Sequence, residues 1–416
     1  MELESGGRIL LTERRLRVAA VGITPPNYKA SGGISAGLQL MRRVATFCET
    51  AMYVMADRDE DLRDGELRVA LRRPTNVLSA LEFMLPRQAT SMMWRPRIEE
   101  WLEHFAPDIV HFHNPHPPGA LWSVARTCTR RRIPYVISTH GFVEFNDFSK
   151  GFGSPSWQKP LLERFVRRPL VKVAQGAARI LMLSPQEEPI IRSMGVTADR
   201  LSIVSNGVDP YFLEAPQEVD RRRLVKRFGL PAGIPLLLFV GNHTFNKGLD
   251  VLLRALHAMR ENAVAVIAGP IRSQKDNEHL ILSSGHSLEE TRFLFTDYLT
   301  KDELRALYHS VDAFVFPSRA DTLPLVILEA MASGLPVVAS NVGGIPFEIT
   351  STEGVLVPPA DPAALAEALD AMCRDRDTRL RMGAAGRDRV TARFDWSASA
   401  ALAVKIYHQA IREGHG

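Results

Sequence analysis

The sequence predicts an α/β protein made of two successive doubly wound units, each a parallel sheet flanked by helices. Three observations lead there. At 416 residues the chain is too long for one ordinary hydrophobic core and suits two domains of roughly 200 residues. Short apolar runs alternate with longer amphipathic ones from end to end, the pattern of parallel strands joined by right-handed helical crossovers. That pattern then restarts near residue 235 with a second strong apolar strand.

In the first unit, residues 16–23 (LRVAAVGI) read as a buried strand, followed by a Gly-rich turn at Ser31-Gly32-Gly33 and a helix-like AGLQLMRRVATF. Further strands fall at 108–113 (DIVHFH), 134–139 (PYVIST), 179–183 (RILML) and 202–204 (SIV), separated by helix-like pieces such as RPRIEEWLEHF. The second unit opens with 235–242 (PLLLFVGN) and the helix GLDVLLRALHAMR. It continues through 263–269 (AVAVIAG), KDELRALYHS, 313–317 (AFVFP), PLVILEAMASG and 336–340 (PVVAS). The joint falls at Ser205-Asn206-Gly207-Val208-Asp209, where Asn-Gly supplies a tight left-handed turn. The expected domains are therefore 1–205 and 206–395, with 396–416 an amphipathic helix that packs back on the first domain.

Composition narrows the class. With 45% hydrophobic and 24% charged residues the chain is that of a folded globular protein, not a disordered one. No run of about 18 apolar residues occurs, so no transmembrane helix is expected, and the opening MELESGGRILLTERRLR lacks the apolar core of a signal peptide. Three cysteines, Cys48, Cys128 and Cys373, lie far apart. Such an odd, scattered set fits a reducing, cytoplasmic compartment and small buried hydrophobes better than a disulfide framework. Residues 1–210 hold 28 Lys and Arg against 22 Asp and Glu, the remainder 23 against 25. The basic bias of the first half suits an anionic partner or membrane surface. No basic stripe is interleaved with aromatics, so nucleic acid is not an expected partner.

In open parallel sheets ligands bind at the carboxyl ends of the strands, and the motifs with chemical content all lie there. After the strand AFVFP comes RADTLPLVILEAMASGLPVVAS, with Asp321 in the loop and Glu329 inside the following helix. Pro324 fits that helix's first turn, and its free N–H groups and positive dipole end suit phosphate. Carboxylates beside them accept hydrogen bonds from diols, which together suit a ligand with phosphates and hydroxyls. The plainer alternative makes Asp321 a helix cap and Glu329 a solvated surface residue. In VGNHTFNKGLD, Lys247 stands at a probable helix start where an ammonium could meet a diphosphate; otherwise it is a surface lysine. In the first unit Gly32-Gly33 allows close backbone approach to a ligand, and His140 in STHGF ends a strand toward the cleft unless its role is structural. His111, His113 and His116 in HFHNPHPP have no carboxylate or cysteine nearby to complete a ligand set, so no metal site is expected. Lys159, Arg164, Arg167, Arg168 and Lys172, around an apolar stripe with Trp157, form either a contact for an anionic membrane or a solvated basic helix.

Taken together these motifs resemble the GT-B glycosyltransferases of the large retaining family four, the glycosyl transferases group 1. That family's pattern PSxxEGFGLxxLEAMAxGxPVVAS stands here as PSRADTLPLVILEAMASGLPVVAS. FVGNHTFNKGLDVLLRAL resembles the family's strand–loop–helix ending in Lys-Gly, and SNGVDPYF matches its interdomain signature. VDAFVFPS and GVLVPPADPAALAEAL match the stretches flanking the donor site, and PDIVHFH, STHGF and the Gly-Gly loop follow the expected order. The resemblance implies two Rossmann-like domains facing across a cleft. It implies transfer of a sugar from a nucleoside-diphosphate donor to an acceptor hydroxyl with retention and without metal or cofactor. By position, Glu329 would hold the donor ribose, and Asp321 with the backbone of Thr322, Leu323 and Leu325 would meet the donor sugar and diphosphate. Lys247 would neutralise the diphosphate, Gly33 would lie against it from the opposite domain, and His140 would contact the donor sugar near the reacting carbon. The pattern's first glutamate is Asp321 here, one methylene shorter, and the arginine often found after VG is Asn242. Cell-envelope polysaccharide or glycolipid synthesis is the expected role, with the acceptor a sugar, a lipid-linked molecule or a soluble natural product. A nucleotide-sugar-binding homologue without activity and a nucleotide-sugar epimerase are the alternatives.

Overall fold

The computed structural model describes residues 14–23, 32–76, 94–113, 117–140, 163–270, 274–287 and 292–414. Its first sheet holds β1 (Arg17–Gly22), β2 (Glu49–Met55), β3 (Glu60–Asp64), β4 (Leu67–Arg72), β7 (Ile109–His113), β8 (Tyr135–Ser138), β9 (Arg179–Met182) and β10 (Leu201–Ile203). A short separate pair comprises β5 (Thr75–Asn76) and β6 (Trp94–Arg95). The spatial order is β10-β9-β8-β7-β1-β2-β4-β3. All neighbours are parallel except β3, which folds back on β4. That edge hairpin departs from the all-parallel expectation, and its charged strand EDLRD explains why no apolar run announced it. The charges at a sheet edge also block pairing with another chain.

The second sheet runs β13 (Phe293–Asp297), β12 (Val264–Ala268), β11 (Leu236–Val240), β14 (Ala313–Phe316), β15 (Val337–Ser340) and β16 (Gly354–Val357), all parallel. Strands such as β12 (VAVIA) are buried along their whole length, as expected for a parallel sheet covered on both faces. In each sheet the strand order reverses once, between β1 and β7 in the first and between β11 and β14 in the second. These switch points, at the carboxyl ends of the strands, are where an open sheet leaves a crevice.

The two cores meet at a narrow joint. Val204 packs in the core of the first sheet and Val208 in that of the second. Phe394 belongs to the second core and Trp396 to the first, so the chain crosses twice, side by side, with Val208 bridged to Asp395. The helix Trp396–Gly414 then lays Ala400, Ala403, Ile406 and Tyr407 against the first domain. Neither Asn206 nor Gly207 has a positive φ, so the expected left-handed turn is absent. Gly207 serves close approach instead, since a Cβ there would stand 2.4 Å from the Trp396 amide nitrogen.

Cys48 and Cys128 are buried and Cys373 half-buried, all as free thiols. Among the described residues no helix is long and apolar enough to cross a membrane. Trp157 and Lys159 of the basic segment lie outside the described residues. In the rest, Val166, Leu170, Val173 and Ala174 are buried in the first domain's core. The described part of the apolar stripe is thus spent on the fold, with Arg168 and Lys172 exposed beside it.

Candidate active site at the two switch points

Two loops meet at the second sheet's switch point, one after β11 and one after β14. They are held together by backbone chemistry. Gly248 ends the turn Phe245–Lys247 at φ +68, and a Cβ there would lie 2.0 Å from the Pro317 carbonyl oxygen, so only glycine permits the contact. Ser318 and the Arg319 amide both donate to the Asn246 carbonyl, at 2.8 and 2.7 Å, and Arg319 grips Asp250 through both guanidinium nitrogens at 2.7 Å. The result brings Lys247 Nζ to 2.6 Å from Asp321 Oδ2, which also accepts from the Ser318 hydroxyl at 3.1 Å. Asp321 is therefore not a helix cap. The helix Leu325–Ala332 has Pro324 at its N-cap, one position earlier than expected, with no side-chain cap on its first N–H groups.

Asp321, Thr322 and Leu323 form a buried strap leading into that helix. The Gly344 amide donates to the Thr322 carbonyl at 2.8 Å, and the Asn206 side-chain amide donates to the Leu323 carbonyl at 2.9 Å. Because C=O and the following N–H of a trans peptide point in opposite directions, fixing the Thr322 carbonyl aims the Leu323 N–H away from the Gly343-Gly344 loop. Leu325 packs against the first domain's core. Asn242 is exposed at the end of β11, its carbonyl taken by the Thr244 amide at 2.7 Å.

Glu329 lies one turn into the helix and is not a solvated surface group. The Tyr308 hydroxyl donates to its Oε2 at 3.1 Å. Burial pushes its pKa up to about 7, the Tyr308 hydrogen bond pulls the other way, and Asp209 raises and Lys301 lowers it further. The carboxyl is thus poised between its two protonation states near neutrality, where a ligand hydroxyl could bias it.

Across the joint, Gly33 sits in the first turn of the helix Gly32–Val44, which takes in both glycines that the sequence suggested as a loop. That turn carries no acidic residue of its own. His140 is buried just past β8, and burial pulls its pKa down to about 4, so the ring is neutral at physiological pH. It stands 5.9 Å from the His113 ring, which is 4.0 Å from the His111 ring. His111 is hydrogen-bonded to the Tyr407 hydroxyl at 2.6 Å and to the Ser138 hydroxyl at 2.8 Å, whereas both nitrogens of His113 are buried without a partner among the described residues. His116 lies outside the described residues, and among those described no group of three metal-ligating side chains forms.

Several polar residues around the site lie outside the motifs that the sequence singles out. Tyr308 looked like one more apolar helix position. Glu187 accepts the Leu183 and Ser184 amides at 2.8 and 2.9 Å, and burial raises its pKa to about 7; the Ser184-Pro-Gln-Glu187 spelling of a capping box could have flagged it. Both oxygens of Glu348 are buried without a partner among the described residues, and burial, then the Asp321 charge, raise its pKa well above the usual carboxylate range. Ser184 faces Gly344 so closely that a Cβ on that glycine would stand 2.9 Å from its Oγ. The two domains therefore touch beside the strap.

Comparison with known proteins agrees with this architecture. Residues 220–389 match the glycosyl transferases group 1 family model and residues 48–212 that of glycosyltransferase family 4. A D-inositol 3-phosphate glycosyltransferase of Xylanimonas cellulosilytica is 33% identical over 311 residues, which cover 73% of this chain and 72% of that protein. The chain belongs to the group 1 glycosyltransferases. The sulfoquinovosyl transferase SQD2 of Arabidopsis thaliana is 32% identical over 74% of this chain and 58% of its own. Among solved structures, sucrose-phosphate synthase from Thermosynechococcus elongatus superposes with a TM-score of 0.76 at 21% identity, covering 96% of this chain and 100% of that one. HepE of Anabaena, solved in complex with UDP-glucose, gives 0.71 at 17% identity over 95% and 100%. At such identities these two carry the fold, which is GT-B.

Proposed function

We propose that this glycosyltransferase moves a sugar from a nucleoside-diphosphate donor, with UDP as the nucleotide, to a hydroxyl of a polyol, with retention and without a metal ion. The observation that carries the reading is the grouping, at one switch point, of a lysine, a carboxylate and a helix N-terminus beside a carboxyl of raised pKa. Lys247 and the Leu325 helix would meet the diphosphate, Glu329 the ribose hydroxyls, and Asp321 with Thr322 and Leu323 the donor sugar. Gly33 and its helix would close on the diphosphate from the other domain, and neutral His140 would hydrogen-bond a sugar hydroxyl.

In the reaction the acceptor oxygen bonds to the anomeric carbon, the bond from that carbon to the diphosphate oxygen breaks, and the acceptor proton passes to the departing diphosphate on the same face. Lys247 and the helix dipole would stabilise the charge that develops there, which is the support for metal independence. Asp321 is one methylene shorter than the family's glutamate. It would leave Lys247 when a donor arrives, releasing the ammonium to the diphosphate. Asn242 brings no charge, so Lys247 would bear more of the task.

The relatives named for inositol 3-phosphate favour a small phosphorylated polyol as acceptor over the polysaccharide expected from sequence. Three free thiols support a reducing, cytoplasmic setting. The test is nucleoside-diphosphate release from UDP-sugars with and without D-inositol 3-phosphate, in EDTA, with the product anomer read by proton NMR. Acceptor-dependent UDP release with the donor's configuration kept supports the proposal. Inversion, or activity only with a divalent ion, contradicts it.

A further inference from the structure

We propose that Asn206 is a positioning residue that couples the joint between the domains to the donor strap. Between Val204, in one core, and Val208, in the other, only Ser205, Asn206 and Gly207 span the gap. Asn206 is 2% exposed, and its amide nitrogen reaches across 117 positions of sequence to the Leu323 carbonyl. That carbonyl precedes Pro324, whose nitrogen has no hydrogen, so this bond sets the plane of the last strap peptide before the helix. Its other side-chain atom, Oδ1, is buried without a partner among the described residues. A buried amide half satisfied in this way costs stability, which small apolar residues would avoid.

The rest of the joint points the same way. Asp209, three positions on, accepts from Gln39 of the Gly32 helix at 3.1 Å and from Lys301 at 2.5 Å, and caps the Tyr211 amide at 3.1 Å. The Ser399 hydroxyl of the C-terminal helix donates to the Ser205 carbonyl at 2.9 Å. A segment of five residues thus touches the helix that bears Gly33, the helix that bears Tyr308, the C-terminal helix and the strap. Rotation of one domain on the other turns this segment, and the strap peptide turns with Asn206. The strap reaches its productive geometry only with the domains closed, so closure and donor alignment are one event. This inference rests on the donor-site reading given above.

The experiment uses full-length Asn206→Asp, which keeps the shape but cannot donate, and Asn206→Ala. UDP affinity, transfer kcat and KM, acceptor-free hydrolysis of the same UDP-sugar, and Tm are measured together. UDP affinity should stay within about threefold of wild type while transfer kcat drops about tenfold or more and the ratio of hydrolysis to transfer rises by a similar factor. Unchanged kcat and ratio overturn the proposal. So does a loss of both activities in proportion to a fall in Tm, which is what a merely structural role predicts. Glu329→Ala, run in parallel, separates the two levels: UDP binding kept in that variant refutes the donor site itself, whatever Asn206 does.

Discussion

Donor binding should depend on pH through Glu329. Its pKa is raised to about 7, first by burial, against the ordinary value of 4.5. If the ribose hydroxyls need the ionised carboxylate, the empty site must deprotonate before it binds. At pH 6 a group of pKa 7 is about one-tenth ionised, so UDP should bind about tenfold more weakly than at pH 8, near 1.4 kcal/mol. UDP itself titrates near pH 6, so Glu329→Gln serves as the reference, and only the wild-type excess counts. Tyr308→Phe removes the hydrogen bond that favours the carboxylate and should move the midpoint upward. The stability linkage has the opposite sense. A carboxyl raised in the folded state favours folding most below its unfolded pKa, and that stability is lost as pH rises from 4.5 toward 7. Calorimetric titration at half-unit steps from pH 5.5 to 8.5 is the assay. A profile identical in wild type and Glu329→Gln, or a midpoint lowered by Tyr308→Phe, would refute the reasoning.

Other perturbations give distinct outcomes. Lys247→Met strands Asp321, which is mostly buried, with only the Ser318 hydroxyl; it should cost about 2 kcal/mol in urea unfolding and weaken UDP binding, and Lys247→Arg should recover part of both. Gly344→Ala would place a Cβ 2.0 Å from the Thr322 carbonyl oxygen, so the strap must shift; transfer should fall at least about tenfold, read by kcat/KM, with the two sheets still formed by circular dichroism. Tyr407→Phe leaves the buried His111 Nδ1 without its partner and should destabilise by about 1–2 kcal/mol, measured by chemical unfolding. If Tyr407→Phe is neutral, the C-terminal helix is not anchored through that histidine.

Much of this fold could be read from the chain because its strands are apolar runs bounded by turn residues. Residues 313–316 and 337–340 are buried throughout, and a run of that kind has few other uses. The β3–β4 hairpin was not legible, since EDLRD alternates charge for a sheet edge rather than a core. Nor was the length of the Gly32 helix, because two glycines argue against a helix start that tertiary packing nonetheless stabilises. At the site, the resemblance names the residues but not their pairing. Lys247 and Asp321 are 74 positions apart, and no local pattern announces such an ion pair. Burial of Tyr308 arises from partners beyond its own helix, Phe212, Phe314 and Glu329, which no local pattern announces. Asn206 was noticed as a turn former, whereas its side chain reaches the strap and its neighbour Gly207 makes room for Trp396.

The donor site is tested most directly by titrating wild type and Glu329→Ala with UDP, GDP, ADP and TDP, in EDTA throughout. Tight binding of UDP alone, lost by about a hundredfold or more in the variant, is the predicted result, since a half-buried carboxylate that accepts two hydroxyls supplies roughly 3 kcal/mol. Equal affinity of wild type and Glu329→Ala for every nucleotide, or no binding to either, would contradict it.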